Sequence, residues 1–268
     1  MNERENTTHT PAVTWPWLGG FTQAEGSIGL LEGNYLMTVC QKDREPLDLI
    51  REFLAKEFPG MYLQKVHGPY NAGKECFVGW NNQTYIQKGL HTFSVAGKKS
   101  LSVLVHLMPY LRNEKLYRAA ERLVAQNLPL PKVLPIDEVW IAGFWEGDGS
   151  IYIAYPNIQR IQTMFSQKDA SILTEVKTFL TRGRIYTRKN KHTDTTISRL
   201  IVDETLQKHP TIDTLLKHTK TLYRKHQIVD VLALTERTQT EMLQRRPKRP
   251  EKQPYTPRPL GRPKKFLL

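Results

Sequence analysis

The fold is constrained most by two similar stretches of nine residues, Leu18–Gly26 (LGGFTQAEG) and Ile141–Gly149 (IAGFWEGDG). Each is predicted to begin as a helix with small residues four positions apart, which lets two helices pack with their backbones in close contact. Each then reaches an acid followed by a glycine, which predicts that the helix ends there with the glycine in the left-handed conformation. The two helices are therefore expected to pack on each other and to place Glu25 and Asp148 side by side. The small residues are Gly20 and Ala24 in the first stretch and Gly143 and Gly147 in the second.

Two carboxylates at neighbouring helix ends require a compensating cation. The helix macrodipole already places partial negative charge at a C-terminus, and two adjacent carboxylates repel each other. We therefore predict a divalent metal between or beside Glu25 and Asp148. Mg²⁺ prefers hard oxygen ligands and keeps several waters, so one carboxylate from each stretch, a phosphate and a backbone carbonyl would suffice to bind it.

Both stretches resemble the LAGLIDADG motif of homing endonucleases over its nine positions, and the second is the closer match. In the first, Gln23 stands where the family often has an acid and Gly19 replaces the alanine, while Glu25 occupies the position of the catalytic acid. The resemblance implies a single-chain monomer with two motifs that binds a long, asymmetric double-stranded DNA site about one pseudo-twofold axis. It also implies cleavage of both strands across the minor groove with magnesium (Mg²⁺) or manganese (Mn²⁺), and no membrane partner.

The resemblance further implies the other residues of each active site. The backbone carbonyls of Ala24 and Gly147 precede the two acids and would add metal ligands. Gln41 and Gln167 match a position where the family has a polar side chain that orders active-site water, although a strand-end glutamine could instead cap the next helix. A basic residue completes each site; Lys225 fits in the second half, and Lys115 fits less well in the first because Glu114 competes for its position.

The chain reads as two copies of one α-β-β-α-β-β-α unit. Each motif is followed by a predicted hairpin that ends in Gln-Lys-Asp, with the aspartate (Asp43 or Asp169) as the expected N-cap of an amphipathic helix. A second pair of strands follows, for example Cys76–Trp80 and Thr195–Val202, and closing helices are predicted at 100–125 and 219–235. The expected fold is α+β, with two pseudo-symmetric αββαββα units, each with a four-stranded antiparallel DNA-binding sheet, joined at the two motif helices.

The domain boundaries follow from composition. Residues 1–13 are polar and form a leader, and residues 127–135 contain three prolines and read as a linker. The N-terminal unit is therefore expected at 14–126 and the C-terminal unit at 136–244. Residues 245–268 hold nine Lys/Arg, one acid and six prolines, so a disordered basic tail is predicted there.

Alternate residues on one face of each sheet would point towards a bound duplex. The candidates are polar, basic or aromatic side chains of the types that read base edges and hold phosphates. They are Tyr35, Lys65, Lys74, Trp80, Gln159, Gln162, Arg184, Arg188, Lys189 and Arg199.

Charge narrows the class of partner. The formal net charge is +13 and the pI about 9.7, which indicates a polyanion. The two cysteines cannot support a disulfide framework, and no stretch is long and apolar enough for a membrane span or signal peptide. By analogy with organellar introns the expected compartment is a chloroplast or mitochondrion, with the prokaryotic cytoplasm as the alternative.

Three functions remain open at this point. The first is a metal-dependent, site-specific homing endonuclease encoded within an intron. The second is a maturase that binds intron RNA on the same fold. The third is a catalytically silent DNA-binding regulator, against which the presence of both acids argues.

Overall fold

The computed structural model describes residues 12–31, 34–78, 83–86, 89–155, 160–189, 195–205 and 207–245. In the first half, a 3₁₀ turn (Met108–Tyr110) separates the last two helices. The elements of that half are α1 (Trp15–Glu25), β1 (Gly26–Leu31), β2 (Asn34–Gln41), α2 (Glu45–Glu57), β3 (His67–Tyr70), β4 (Glu75–Val78), β5 (Gln83–Ile86), β6 (Leu90–Ala96), α3 (Lys98–Leu107) and α4 (Asn113–Val124). Those of the second half are α5 (Glu138–Asp148), β7 (Gly149–Tyr155), β8 (Arg160–Gln167), α6 (Ala170–Leu180), β9 (Arg184–Lys189), β10 (Thr196–Thr205), α7 (Pro210–His218) and α8 (Leu222–Arg245).

Each half contains one four-stranded antiparallel sheet, as predicted. The strand orders are β1-β2-β6-β3 and β7-β8-β10-β9, so both central pairs and both edges correspond. Helices α2 and α3 pack on one face of the first sheet and α6 on one face of the second. Along the strands, buried residues such as Phe93 and Leu200 alternate with more exposed ones, so the opposite face of each sheet is open to solvent.

The predicted strand pair of the first half is partly wrong. Residues 76–78 do form a strand, but β4 pairs with β5 in a separate two-stranded sheet, and residues 79–80 lie outside the described part. In the four-stranded sheet, β6 lies beside β2 and β3 forms the edge. In the sequence, the β4–β5 hairpin lies between β3 and β6. The second-half prediction is confirmed by β10.

Helices α1 and α5 pack so closely that their glycines are required. A Cβ added to Gly20 would lie 2.0 Å from the carbonyl oxygen of Trp140, and one added to Gly143 would lie 2.1 Å from that of Trp17. At Gly147 it would lie 2.4 Å from the Cβ of Ala24. The predicted stripes of small residues therefore form the interface between the two halves.

The expected left-handed glycines at the helix ends are not found. Gly26 has φ −86° and Gly149 has φ −92°, both in the extended region, so each helix passes directly into its strand. Glycine is needed there for space, because a Cβ would lie 2.7 Å from Thr22 O in one half and 2.4 Å from Trp145 O in the other.

Other boundaries also differ from the sequence-based expectation. The long helix expected at 100–125 is divided into α3 and α4 around Pro109, which lacks the N–H that a continuous helix would use. Asp169 is the N-cap of α6 and accepts the Ser171 N–H, whereas Asp43 precedes the N-cap of α2 and accepts the Glu45 N–H at 3.3 Å.

Residues 128–136 form neither helix nor strand. Residues 1–11 and 246–268 lie outside the described part, so it contains almost none of the predicted leader or tail. Among the helices that are described, none combines the length and apolarity needed to span a membrane.

Candidate active site

The two acids come together because they are the last residues of the packed helices α1 and α5. Burial, together with the negative charge of Asp148, raises the pKa of Glu25 to about 7. Burial also raises the pKa of Asp148, to about 6. Glu25 and Asp148 therefore form one partly buried pair, as their positions in the sequence predicted.

A glutamine at the end of a strand faces each acid. The Nε2 of Gln41 donates to Glu25 Oε1 at 3.1 Å, and the Nε2 of Gln167 donates to Asp148 Oδ2 at 3.4 Å. In both halves the glutamine Oε1 accepts the N–H of the following lysine, at 2.8 Å and 2.9 Å. This local bond fixes the orientation of the amide, so its NH₂ group is turned towards the carboxylate.

Lys115 brings a positive charge to the acid pair, as proposed from sequence. Its Nζ donates to the carbonyl oxygens of Thr22 and Gln23, each at 2.7 Å, near the C-terminus of α1. Burial lowers the pKa of Lys115 to about 8, and the charges of Asp148 and Glu25 oppose that change. Glu114, the competing residue, instead forms an ion pair with Arg118 on the surface of α4.

The second cation that acts on the acids is Arg224, rather than its predicted neighbour Lys225. The guanidinium of Arg224 donates to Glu146 O at 2.9 and 3.1 Å and to Gly147 O at 3.3 Å, and stacks 5.1 Å from the ring centroid of Trp145. Its charge lowers the pKa of both acids, whereas Lys225 is not among the groups that act on either. Consecutive residues of a helix point about 100° apart, so only one of the two neighbours can face this site.

Sequence comparison of the halves obscured this assignment. The triplet Leu-Tyr-Arg occurs at 116–118 and again at 222–224, and matching the triplets places Arg224 opposite Arg118 rather than Lys115. In the structure Lys115 and Arg224 are both the third residue of their helices, α4 and α8. Counting from the helix starts would have found the pair.

The motif residue two positions before each acid anchors the helix that carries the cation. Gln23 Oε1 accepts the Arg112 N–H at 2.9 Å, just before α4. Glu146 accepts the N–H groups of Lys220 and Thr221 at 2.7 and 3.0 Å, just before α8. The motif therefore sets the position of the cation as well as that of the acid.

The donor set suits a hard divalent cation. Within the described residues, no group of three or more His, Cys, Asp or Glu is clustered as a metal site, so the protein donors are two carboxylates with nearby backbone carbonyls. Ala24, whose carbonyl is a predicted ligand, lines a cavity together with Asp148; the carbonyl of Gly147 accepts the bond from Arg224. Mg²⁺ keeps waters and takes phosphate oxygens, so Glu25 and Asp148 would be its protein carboxylate ligands.

Comparisons with known proteins agree with this geometry. Residues 141–228 match the family model for LAGLIDADG endonuclease. That match begins at the second motif and lies wholly within the second half of the chain. No curated protein sequence matches it.

Solved LAGLIDADG meganucleases share the fold over most of the chain. The structure of I-AabMI bound to uncleaved DNA aligns with a TM-score of 0.56 at 16% identity, and covers 85% of this chain and 93% of that one. I-SmaMI bound to an uncleavable DNA gives 0.54 at 14% identity, covering 87% and 92%. I-SmaMI bound to cleaved DNA gives 0.53 at 17% identity, covering 86% and 91%.

Four predicted DNA contacts share the open face of the second sheet. Arg199 is exposed and pairs with Tyr186, between the buried neighbours Ser198 and Leu200. The same register parity places three further candidates on that face: Gln162, Arg184 and Arg188. The amide of Gln162 donates to Asp203 at 2.7 Å and accepts from the Tyr152 hydroxyl at 2.6 Å, so its orientation is fixed.

The remaining candidates lie elsewhere or outside the described residues. Lys189 pairs with Thr196, which has the strand parity of buried Ser198, so it belongs to the other face of the sheet. Tyr35 pairs with Leu30 and has the parity of buried Met37, and its side chain lies outside the described part. Lys65 is exposed in the loop before β3, and Lys74 is exposed before β4 and bonds to Asn71. Trp80 and Gln159 lie outside the described residues.

Proposed function

We propose that this protein is a two-motif LAGLIDADG homing endonuclease that hydrolyses both strands of a long, asymmetric double-stranded DNA target with Mg²⁺, or with Mn²⁺ in its place. The observation that carries the proposal is the paired carboxylates, Glu25 and Asp148, each facing a glutamine amide and flanked by Lys115 and Arg224. The fold that holds them is the fold of meganucleases solved on DNA.

The side chains divide the chemistry among them. Hydrolysis of a phosphodiester needs an activated water, a neutralised phosphate and a stabilised leaving oxygen, and bound divalent ions supply these together. Glu25 and Asp148 would provide the anionic ligands, while Gln41 and Gln167 hold those carboxylates in orientation. Lys115 and Arg224 add fixed positive charge in a partly buried site, where it stabilises negative charge that develops in the transition state.

The open face of the second sheet supplies the contact with the duplex. Arg184, Arg188 and Arg199 have the geometry to hold phosphates or to donate to guanine edges in the major groove. An extended strand surface that carries several such residues suits a long site rather than a short one. Since the two sheets differ in side chains, an asymmetric target fits them better than a palindrome.

A cleavage assay with an inactive variant tests the proposal. The protein is incubated with the intronless version of its host gene, with Mg²⁺ or with EDTA, and the products are resolved on end-labelled DNA. We expect a double-strand break with Mg²⁺ and none with EDTA. Asp148→Asn should abolish that break while gel-shift affinity stays within a few-fold, because it removes metal affinity but no sheet contact. The matched control is Asp213→Asn, an exposed acid on α7.

The same assay separates the alternative functions. Full cutting by Asp148→Asn would refute the assignment of the acids. Binding of the DNA without cutting by the wild-type protein would identify a regulator. Promotion of intron splicing without DNA cleavage would identify a maturase, whose partner is intron RNA.

The biological setting is part of the proposal. An intron-encoded enzyme would be made in a chloroplast or mitochondrion, or in a prokaryotic cytoplasm, and the target would be the exon junction that the intron interrupts. A monomer is proposed because one chain already contains both motif helices and both acids. Sedimentation of the protein on its DNA would test this, and a two-to-one complex would contradict it.

A further inference from the structure

Two open cavities lie beside the paired helix ends, and each is lined by both halves of the chain. One, of about 400 Å³, is lined by Gln41 and Lys42 of the first half and by Glu146, Thr221 and Arg224 of the second. The other, of about 470 Å³, is lined by Asp148 and Gln167 of the second half and by Gln23, Ala24 and Lys115 of the first. The glutamine and the cation of a cavity therefore come from opposite halves.

The hydrogen bonds complete this crossed arrangement. Gln41, in the first cavity, donates to Glu25, whereas Gln167, in the second, donates to Asp148 and also lies 3.5 Å from the carbonyl oxygen of Gln23 in the other half. Each cation is held by carbonyls of its own motif helix, Lys115 at the end of α1 and Arg224 at the end of α5. Because those two helix ends are adjacent, a cation bound to one end is directed into the cavity beside the other.

The charges around the cations follow the same pattern. Among the acids that raise the pKa of Lys115, Asp148 acts more strongly than Glu25. The charge of Glu25 raises the pKa of Arg224 more than the charge of Asp148 does. Lys115 is close to both acids, so its charge also lowers the pKa of Glu25 by more than the charge of Arg224 does. The pairing therefore rests on the cavities and the hydrogen bonds, and not on these charges.

We infer that each DNA strand is cut in a pocket built from both halves. In one pocket Lys115 completes the site formed by Asp148 and Gln167, and in the other Arg224 completes the site formed by Glu25 and Gln41. This inference rests on the proposed nuclease function. In each pocket, hydrolysis adds one water oxygen to phosphorus as one P–O bond breaks, and a water proton ends, net, on the departing sugar oxygen. The cation from the opposite half stabilises the negative charge that forms during that exchange.

Strand-resolved cleavage tests the pairing. The two strands of the target are end-labelled separately, and single-turnover rates are measured for Lys115→Met, Gln167→Leu, Arg224→Gln and Gln41→Leu. We expect Lys115→Met and Gln167→Leu to slow one strand at least about tenfold more than the other, and Arg224→Gln and Gln41→Leu to slow the opposite strand. Arg224→Lys should restore part of the rate on that strand, because it keeps the charge. Lys225→Met is the matched control and should show no strand bias, because Lys225 is the neighbour of Arg224 on α8 but is not among the groups that shift the pKa of either acid.

Two results would overturn the inference. One is that Lys115→Met slows the strand that Gln41→Leu slows, which would pair the residues within one half. The other is that Lys115→Met slows both strands equally, which would make the cation common to both pockets.

A second measurement needs no cleavage. In the metal-free protein, double-mutant cycles by urea unfolding measure how strongly Lys115→Met is coupled to Asp148→Asn and to Glu25→Gln. The crossed pairing predicts the larger coupling with Asp148, and a larger coupling with Glu25 would contradict it. If the couplings are as expected but the wild-type protein cuts no DNA, the nuclease function is overturned while the crossed geometry stands.

Discussion

The indole Nε1 of Trp17, on α1, donates a 2.6 Å hydrogen bond to the carboxylate of Glu146, on α5. Glu146 is only 2% exposed and also accepts bonds from the N–H of Lys220 and from both the N–H and hydroxyl of Thr221. Burial raises the pKa of Glu146, while these donors lower it. One carboxylate therefore joins both motif helices to the segment that leads into α8.

Replacing Glu146 should weaken this junction more than its small change in shape suggests. In Glu146→Gln one acceptor oxygen becomes an NH₂ group, which would face N–H donors that no water reaches. We expect the free energy of unfolding to fall by about 2 to 3 kcal/mol. Urea denaturation measures the loss, and Glu52→Gln, an exposed residue on α2, is the matched control. Equal stability of the two variants would show that the Glu146 bonds contribute nothing net.

The glycines of the helix interface give a second prediction. Gly143→Ala would place a methyl group 2.1 Å from the carbonyl oxygen of Trp17, so α1 and α5 must separate. We expect a loss of at least about 2 kcal/mol in unfolding free energy, since overpacking a tight core forces backbone shifts. Gly29→Ala is the control, because a Cβ there meets no atom within 4 Å. A thermal melt in which Gly143→Ala matches Gly29→Ala would contradict the close packing.

The parts of the site that the sequence predicted are those that local pattern determines. The acids, the small residues four apart and the strand-end glutamines are adjacent in sequence to the helix ends they serve, so the duplicated pattern located all of them. Glu25 and Asp148 needed only the pairing of two similar helices. The register of the second sheet was also accessible, because alternation along one strand places Arg199 opposite the buried face.

The features that were missed depend on contacts between distant segments. The hydrogen bonds that Lys220 and Thr221 donate to Glu146 from their N–H groups set the residue at which α8 begins. That starting residue determines that Arg224, and not Lys225, faces the acids. The β4–β5 hairpin has strand-like residues, but only the completed sheet shows that β3 and β6 occupy its places. Neither fact is contained in the residues' own propensities.

The raised pKa of Glu25 predicts how the metal-free protein responds to pH. The folded value is about 7 against an ordinary 4.5, so the folded state binds the proton more tightly than the unfolded state. Stability is therefore lost as pH rises from about 4.5 to about 7, and the full cost is present above that range. Glu25→Gln removes the charge and should stabilise the metal-free protein at pH 8 by on the order of 2 kcal/mol.

The pH series supplies its own control. At pH 4 the Glu25 carboxyl is protonated in both states, so the stabilisation by Glu25→Gln should disappear there. Unfolding in EDTA at pH 4, 6 and 8 measures the effect. A stabilisation that is the same at all three values would mean that charge burial is not its cause.

The open faces of the two sheets predict different roles in DNA binding. Arg199 lies on the open face of the second sheet, which also carries Arg184 and Arg188. On the corresponding face of the first sheet, the hydroxyls of Thr38 and Ser94 lie side by side, 3.0 Å apart. Arg199→Gln should remove about one phosphate contact and lower the slope of log affinity against log salt by about 0.9. Thr38→Val removes no charge, so the slope should stay unchanged while discrimination between half-site sequences falls. Anisotropy titrations over a salt series measure both, with Lys177→Gln, exposed on α6 behind the second sheet, as the control for Arg199. If Lys177→Gln lowers the slope as much as Arg199→Gln does, the duplex does not lie on the open face of that sheet.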